Sequence, residues 1–465
     1  MNLNQTLQEK YPHLEVSVFS YSKVKEHLIF GSEFNSNTRE NAIQSIVSNK
    51  NVNDYFELIN TNVSTLKEFI YIYDLTHSLG NFMIDVEPTQ EIGSNKKEAI
   101  KGDFVISRLR SYLKEMAVIQ SKNFKQLLST EYLVYRPKTN LLSSNTLLAF
   151  SLSRIVQTIL NYSQYGTEHP RFYEFVFNEM PIPKCLLLMN AEIDSIMNKA
   201  YEVLEQSKIF YKKAEETLYL ELGLDPKNPL QSLLDSKTNI PTNSLNISIR
   251  TLKESFLKTG RLDSEYYQSK YEDIEKFIKS YPNGYDSFSN IINNKDTNFT
   301  PKNNENYSYI ELANIGNNGN ISEPISDLGK NLPTRARRIV SKGDVIISSI
   351  EGSLSSCALI TQEFDKHLVS TGFFVLNSKL LNGETLLVMF KSQIFQEYLK
   401  KFPSGTILCA INKEELSKIL IPKIDSTTQE KIAKYIQESF NLRKKSKQLL
   451  DNAKNKVEEQ IQGKT

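Results

Sequence analysis

At 465 residues the chain is too long for one ordinary hydrophobic core, so two or three domains are expected. Its composition is that of a globular chain, 39% hydrophobic and 24% charged, and a net charge of +2 neither announces a polyanion-binding surface nor excludes a local one. No eighteen-residue apolar run suggests a membrane span, and the polar opening MNLNQTLQEKYPHLEV lacks the apolar centre of a signal peptide. Three isolated cysteines, Cys185, Cys357 and Cys409, suit a reducing cytoplasm rather than a disulfide framework or a CxxC metal site.

Taken in chain order, the first half offers short strand-like runs at 69–73, 103–107, 116–120 and 131–135. Each is rich in β-branched or aromatic residues and bounded by turn formers. A helix is expected over 145–162, then a loop around Gly166, then a long amphipathic segment after the IPK at 182–184. Residues 223–246 carry Pro, Asn and Ser without a sustained period and read as part of a linker. The second half repeats the order: strands at 308–312, 344–350, 356–361 and 372–376, and a helix at 383–401.

The repetition extends to particular residues. GDFVIS at 102–107 matches GDVIIS at 343–348, an offset of 241, and Ser129-Thr130-Glu131-Tyr132 matches Ser370-Thr371-Gly372-Phe373 at the same offset. Gly166-Thr167 matches Gly405-Thr406, and Ile182-Pro183-Lys184 matches Ile421-Pro422-Lys423, both at 239. Ser32-Glu33-Phe34 resembles Ser264-Glu265-Tyr266 at 232. Five ordered matches at nearly constant offset point to an internal duplication, the first thing to seek in a long chain. The fold expected is therefore mixed α/β, with two duplicated globular halves, each followed by a long helix.

In the first of those helices, Ile193, Met197, Ala200, Leu204, Ser207, Tyr211, Ala214 and Leu218 recur at alternating steps of four and three. This is the a/d seam of left-handed helix packing. The second gives Ile432, Ile436, Ser446, Leu450, Ala453 and Val457, with a polar middle at Ser439 and Arg443. A lone amphipathic helix packs on its own domain, whereas two equivalent ones favour packing on each other.

Motifs for chemistry are missing. The sequence has no GxxxxGK[ST] loop, no GxGxxG after a strand, no HExxH, no EF-hand loop and no nucleophile elbow, and it lacks the NPP[FY] or DPP[FY] tetrapeptide of amino-methyltransferases. The acid pairs Glu215-Glu216 and Glu458-Glu459 fall on the long helices, where a solvated face is their expected place. No metal ligation is expected, since His169 has no second ligand at useful spacing.

The paired GDFVIS and GDVIIS strands, LPTRARRIVSKGD around the second, RLDSEYYQSKY at 261–271, the two G-T to I-P-K segments and the trailing QEKIAKYIQ at 429–437 together resemble the specificity subunit of type I restriction–modification enzymes. The resemblance covers nearly the whole chain. It implies a target recognition domain at 1–185, a spacer helix at 186–222, a linker at 223–250, a second recognition domain at 251–424 and a second spacer helix at 425–462. The two helices would pair as an antiparallel coiled coil and act as a ruler. From Ile193 to Glu221 such a helix spans about 40 Å, a little more than one turn of duplex DNA at about 34 Å. The implied partners are double-stranded DNA, two methyltransferase subunits and motor-nuclease subunits. S-adenosylmethionine, ATP and Mg are expected on those partners only. No membrane association is implied.

DNA binding requires cations for phosphates and donors or acceptors for base edges. In the first half the candidates are Lys96, Lys97, Arg108, Arg110, Lys114, Tyr165, Thr167, His169 and Arg171. In the second they are Arg335, Arg337, Arg338, Lys342, Lys401, Ser404 and Thr406, with the RARR cluster foremost. The halves depart from one another. IGSNKKEAIKGD stands where the second half has LPTRARRIVSKGD, and YGTEHPRF stands where it has SGTILCAI. Three other readings stay open: a DNA-reading endonuclease or methyltransferase, a helical adaptor that binds only protein, and a component of a methylation-only or phage-defence complex.

Overall fold

The computed structural model describes residues 3–463 other than 15, 17, 26, 236–248, 297 and 406–407. The chain divides into two compact units. One comprises Met1–Leu204 with Lys444–Thr465, and the other comprises Glu205–Arg443. No helix among the described residues is long and apolar enough to cross a membrane.

In the first unit eight strands form two sheets. They are β1 (Phe56–Ile59), β2 (Asn62–Val63), β3 (Ile70–Tyr73), β4 (Lys96–Ala99), β5 (Phe104–Ser107), β6 (Met116–Val118), β7 (Lys125–Leu128) and β8 (Tyr132–Pro137). One sheet runs β1-β8-β5-β6 and is antiparallel throughout; the other runs β2-β4-β7-β3, with β3 parallel to β7. The uninterrupted apolar run of β5 reflects cover on both faces. Phe104 and Ile106 join one core with Leu147 and Leu148, while Val105 joins another with Tyr73 and Leu128. Entry to β5 is a tight turn at Gly102, at φ +91°. There the buried Asp103 carboxylate accepts two hydrogen bonds from Arg136, both 2.9 Å. A short hairpin, β9 (Gln164–Tyr165) and β10 (Arg171–Phe172), follows around Gly166.

The helix expected over 145–162 is two helices, Ser144–Ser151 and Arg154–Asn161. Ser153 breaks it in an extended conformation, φ −65° and ψ 151°. Its hydroxyl donates to the carbonyl of Phe150 at 2.6 Å, and Gln157 Nε2 caps the carbonyl of Ser151 at 2.7 Å. A serine that hydrogen-bonds local backbone competes with the helical ladder, and hydrophobic periodicity does not register that competition.

The second unit contains β11 (Tyr285–Ser287), β12 (Ile292–Asn294), β13 (Asn306–Ile310), β14 (Ile325–Leu328), β15 (Ala336–Ile339), β16 (Val345–Ser348), β17 (Cys357–Leu359), β18 (Leu368–Ser370), β19 (Phe373–Ser378) and β20 (Leu420–Pro422). Its larger sheets run β12-β19-β16-β17, antiparallel, and β14-β13-β18-β15, with β13 parallel to β18. The helix expected over 383–401 is again two, Gly383–Lys391 and Gln393–Leu399, broken at the extended Ser392. Ser392 Oγ donates to Met389 at 2.7 Å and Gln396 Nε2 to Phe390 at 2.6 Å, at the positions that correspond to Ser153 and Gln157. Part of the expected linker is also ordered. Pro229–Asp235 is helical and buries Leu233, because proline is favoured in a first helical turn and Leu230 and Leu233 share a face. Residues 236–248 of that linker lie outside the described residues.

Two long helices, Lys184–Glu221 and Ser426–Gln462, each contribute to both units. Within the first unit, Ser446 Oγ donates to the carbonyl of Ala200 at 2.7 Å and Lys456 pairs with Glu192 at 2.6 Å, so the two segments run antiparallel. Ile193 and Met197 share a core with Leu450, Ala453 and Val457. Within the second unit, Ser439 Oγ donates to the carbonyl of Ser207 at 2.8 Å and Thr428 Oγ1 to Glu221 at 2.7 Å, again antiparallel. There Tyr211, Ala214 and Leu218 share a core with Ile432 and Ile436. One seam position needs correction. Leu204 is half-buried, while its neighbour Val203 is 2% exposed. The covered stripe is wider than a strict two-position seam, as expected of a helix that also packs on a globular domain.

Candidate nucleic-acid interface

In the first unit the backbone builds a platform from three segments. The loop leaving β5 bonds to the turn before β8 through Arg108 N to Glu131 O at 3.1 Å. It bonds to the β9–β10 hairpin through Phe172 N to Arg108 O at 3.0 Å and Arg110 N to Pro170 O at 2.7 Å. Arg110 and Lys114 take left-handed conformations, φ 49° and 55°, on either side of a 3-10 turn at Ser111–Leu113 that leaves Tyr112 and Leu113 exposed.

Four of the candidate cations and proton-binding groups converge there. Glu131 receives Arg171 through Nη2 at 2.6 Å and Arg108 through Nε at 3.1 Å. Its carboxyl is held below the ordinary glutamate value by Arg171 first, against the opposing effect of burial, and then by Arg108. Arg171 Nη1 also donates to His169 O at 3.0 Å, and Arg110 Nη2 lies 3.0 Å from His169 Nδ1. Tyr165 stacks on Tyr173 with ring centroids 4.4 Å apart. Thr167 and Lys114 are exposed on the hairpin loop and after the 3-10 turn.

Lys96 and Lys97 are on β4 of the other sheet, from which Lys97 comes within electrostatic reach of Arg108 and Glu131. Lys96 Nζ donates to Ser94 Oγ at 3.1 Å. Lys97 is buried, and its Nζ donates to the carbonyl of Tyr132 at 2.9 Å. Burial pushes its ammonium below the usual lysine value.

The second unit repeats the backbone platform. Ser349 N donates to Gly372 O at 2.9 Å, Ile411 N to Ser349 O at 2.8 Å and Glu351 N to Cys409 O at 3.0 Å. The side chains differ completely: Ser349, Glu351, Gly372 and Ala410 stand where the first unit has Arg108, Arg110, Glu131 and Arg171. Ser404 belongs to this platform, exchanging backbone bonds with Ala410 at 3.0 and 3.1 Å; Thr406 lies outside the described residues.

The RARR cluster is elsewhere, on and before β15. Arg335 is the exposed member, its side chain 62% accessible and 3.8 Å from Glu311. Arg337 Nε donates to Thr334 O at 2.8 Å. Arg338 is half-buried, donates Nη1 to the carbonyl of Phe373, and is lowered in pKa by burial. It does in this unit what Lys97 does in the other. Lys342 is exposed beside Gly343. Lys401 is buried, paired with Glu275 and 4.8 Å from the centre of the Tyr266 ring. The sequence reading missed Glu131 and Glu351 as site residues. Their only signal was their place in the repeat, since pairing through space leaves no local pattern. No group of three or more His, Cys, Asp or Glu suited to a metal ion occurs among the described residues.

Residues 286–453 match the type I restriction modification DNA specificity domain. The matched domain spans the second platform and most of the closing helix, Ser426–Gln462. Among curated relatives it is similar to the Type I restriction enzyme HindI specificity subunit of Haemophilus influenzae, 30% identical over 159 residues, 33% of each chain. The match therefore spans a third of that relative's length. Among solved structures it aligns with the S subunit of a type I system from M. genitalium (12% identity, TM-score 0.40, 89% of this chain and 95% of that one). It also aligns with the HsdS subunit from Thermoanaerobacter tengcongensis (14%, TM-score 0.26, 89% and 95%). At TM-scores this low the alignments add nothing to what the domain match establishes.

Proposed function

We propose that this chain is the sequence-reading component of a type I restriction–modification complex in the cytoplasm. Residues 1–185 and 251–424 act as two target recognition domains, each reading one part of a bipartite, asymmetric DNA target. The helices at 186–222 and 425–462 pair as an antiparallel coiled coil that sets the gap between the two parts and docks two methyltransferase subunits; motor-nuclease subunits join the full complex. The chain performs no catalysis. S-adenosylmethionine, ATP and Mg act on the partner subunits.

The observation that carries this reading is the DNA specificity domain at 286–453. The recurring platform supports a second reading head, and the antiparallel seam contacts support the helical pairing. The test is a gel shift and a methylation assay with the full chain, with and without methyltransferase subunits and S-adenosylmethionine. The expected result is methylation of one bipartite sequence by the complex and none by the chain alone. Cleavage or methylation by the pure chain would overturn the proposal. So would an exchange of 251–424 with a relative's counterpart that altered both half-sites.

A further inference from the structure

The two platforms share a backbone and oppose each other in chemistry. We infer that the first platform reads guanine through Arg108 and Arg110, and that the second reads a base presenting an exocyclic amino group, adenine or cytosine, through Glu351. This assignment rests on the half-site reading above and specifies the bases it concerns.

Arg108 is held but not used up. Its Nε is fixed on Glu131, its side chain is 34% exposed, and Nη1 and Nη2 have no partner among the described residues. A guanidinium anchored by its inner nitrogen presents its outer pair as a fixed fork, which suits the O6 and N7 acceptors of guanine. The side-chain ordering is already in place before binding, so less entropy is lost on contact. Arg171 is different, because all three of its nitrogens are engaged, two on Glu131 and one on His169 O. It braces the site. Arg110 leaves Nε and Nη1 available beside its contact with His169.

The second platform shows why these positions face base edges rather than phosphates. Glu351 occupies the place of Arg110, with its backbone N–H on Cys409 just as that of Arg110 is on Pro170. It is exposed, its carboxylate hydrogen-bonds with the Cys409 thiol, and no cation pairs with it among the described residues. A carboxylate with no neutralising cation at a phosphate-facing position would be repelled. At a base edge the same carboxylate accepts from cytosine N4 or adenine N6. One docking geometry thus accommodates both units only if the platform points at bases.

The test uses the full chain expressed with its methyltransferase partner. Methylome mapping defines the two half-sites, and competition binding then measures each base substitution. Arg108→Lys keeps the charge but loses the fork. It is expected to relax discrimination at a guanine in one half-site by about ten- to hundredfold, with the salt dependence unchanged. Glu351→Gln is expected to relax an adenine or cytosine position in the other half-site only. Placing 7-deazaguanine in the first half-site should weaken binding by the unaltered protein about tenfold, which gives a readout independent of any variant's folding. The inference is overturned if both substitutions affect the same half-site, if Arg108→Lys changes only the salt slope, or if 7-deazaguanine has no effect. A wild-type complex that methylates no bipartite sequence would instead overturn the half-site reading itself.

Discussion

Lys97 Nζ donates to the carbonyl oxygen of Tyr132 at 2.9 Å, and Arg338 donates to the corresponding carbonyl, that of Phe373. Two different cations cap the same point of the strand framework. Both are structural, although the sequence presents them as members of basic clusters. Lys97→Ala should therefore cost about 1–3 kcal/mol of stability, read by urea titration, while Lys97→Arg should restore most of it. A Lys97→Ala protein of unchanged stability would show that the bond contributes nothing.

The RARR cluster separates by exposure. Arg335→Ala should lower the log–log salt slope of DNA binding by about 0.9, the value for one lost phosphate contact. Arg338→Ala should leave the slope alone and lower the denaturation midpoint. Equal slopes in wild type and Arg335→Ala would place that arginine away from the duplex.

Burial pushes the Glu215 carboxyl up to about 7, against the opposing pull of Lys391 and Lys212. Its folded pKa exceeds the unfolded value, so the folded state holds the proton. The contribution to stability is complete below about pH 4.5 and is lost as the pH climbs through 7. The loss is on the order of 3 kcal/mol. Glu215→Gln should flatten this pH dependence in urea titrations between pH 4.5 and 8. A wild-type curve of the same shape as the variant's would reject the assignment.

The antiparallel seam contacts suggest how to test the ruler. Four residues inserted after Leu204, matched by four before Lys444, keep the Ala200–Ser446 and Ser207–Ser439 contacts intact. Four residues add about 6 Å at 1.5 Å per residue, close to two base pairs at about 3.4 Å each. Methylome mapping should return the same half-sites with a gap longer by about two base pairs. An unaltered gap with full activity would mean that spacing is set elsewhere.

The sequence exposes most of what depends on burial and little of what depends on pairing through space. GDFVIS and GDVIIS are visible as strands because both faces of each are covered, which leaves an unbroken apolar run. The long helices are visible because their stripes are long and regular. The breaks at Ser153 and Ser392 escape notice because a single side-chain hydrogen bond produces them. Leu204 is misplaced because a seam template is narrower than the stripe that packing covers. Among the DNA candidates, charge singled out Arg108 and Arg171 but could not reveal Glu131, which binds both from another turn. Nor could it separate Arg335, facing solvent, from Arg338, folded inward.

In both platforms peptide groups join the same segments: Arg108 to Glu131 and Phe172, Ser349 to Gly372 and Ile411. Peptide groups are the same whatever side chain they carry. A mutation at 108, 110, 349 or 351 therefore changes the outward chemistry and leaves those peptide joints in place, although at 108 and 349 it also removes a side-chain bond, to Glu131 or to Gly372. On the reading proposed above, such a scaffold lets the recognised word be rewritten one letter at a time. In a contest with phage, where a shared word is a shared vulnerability, that freedom to drift among dialects is itself an advantage.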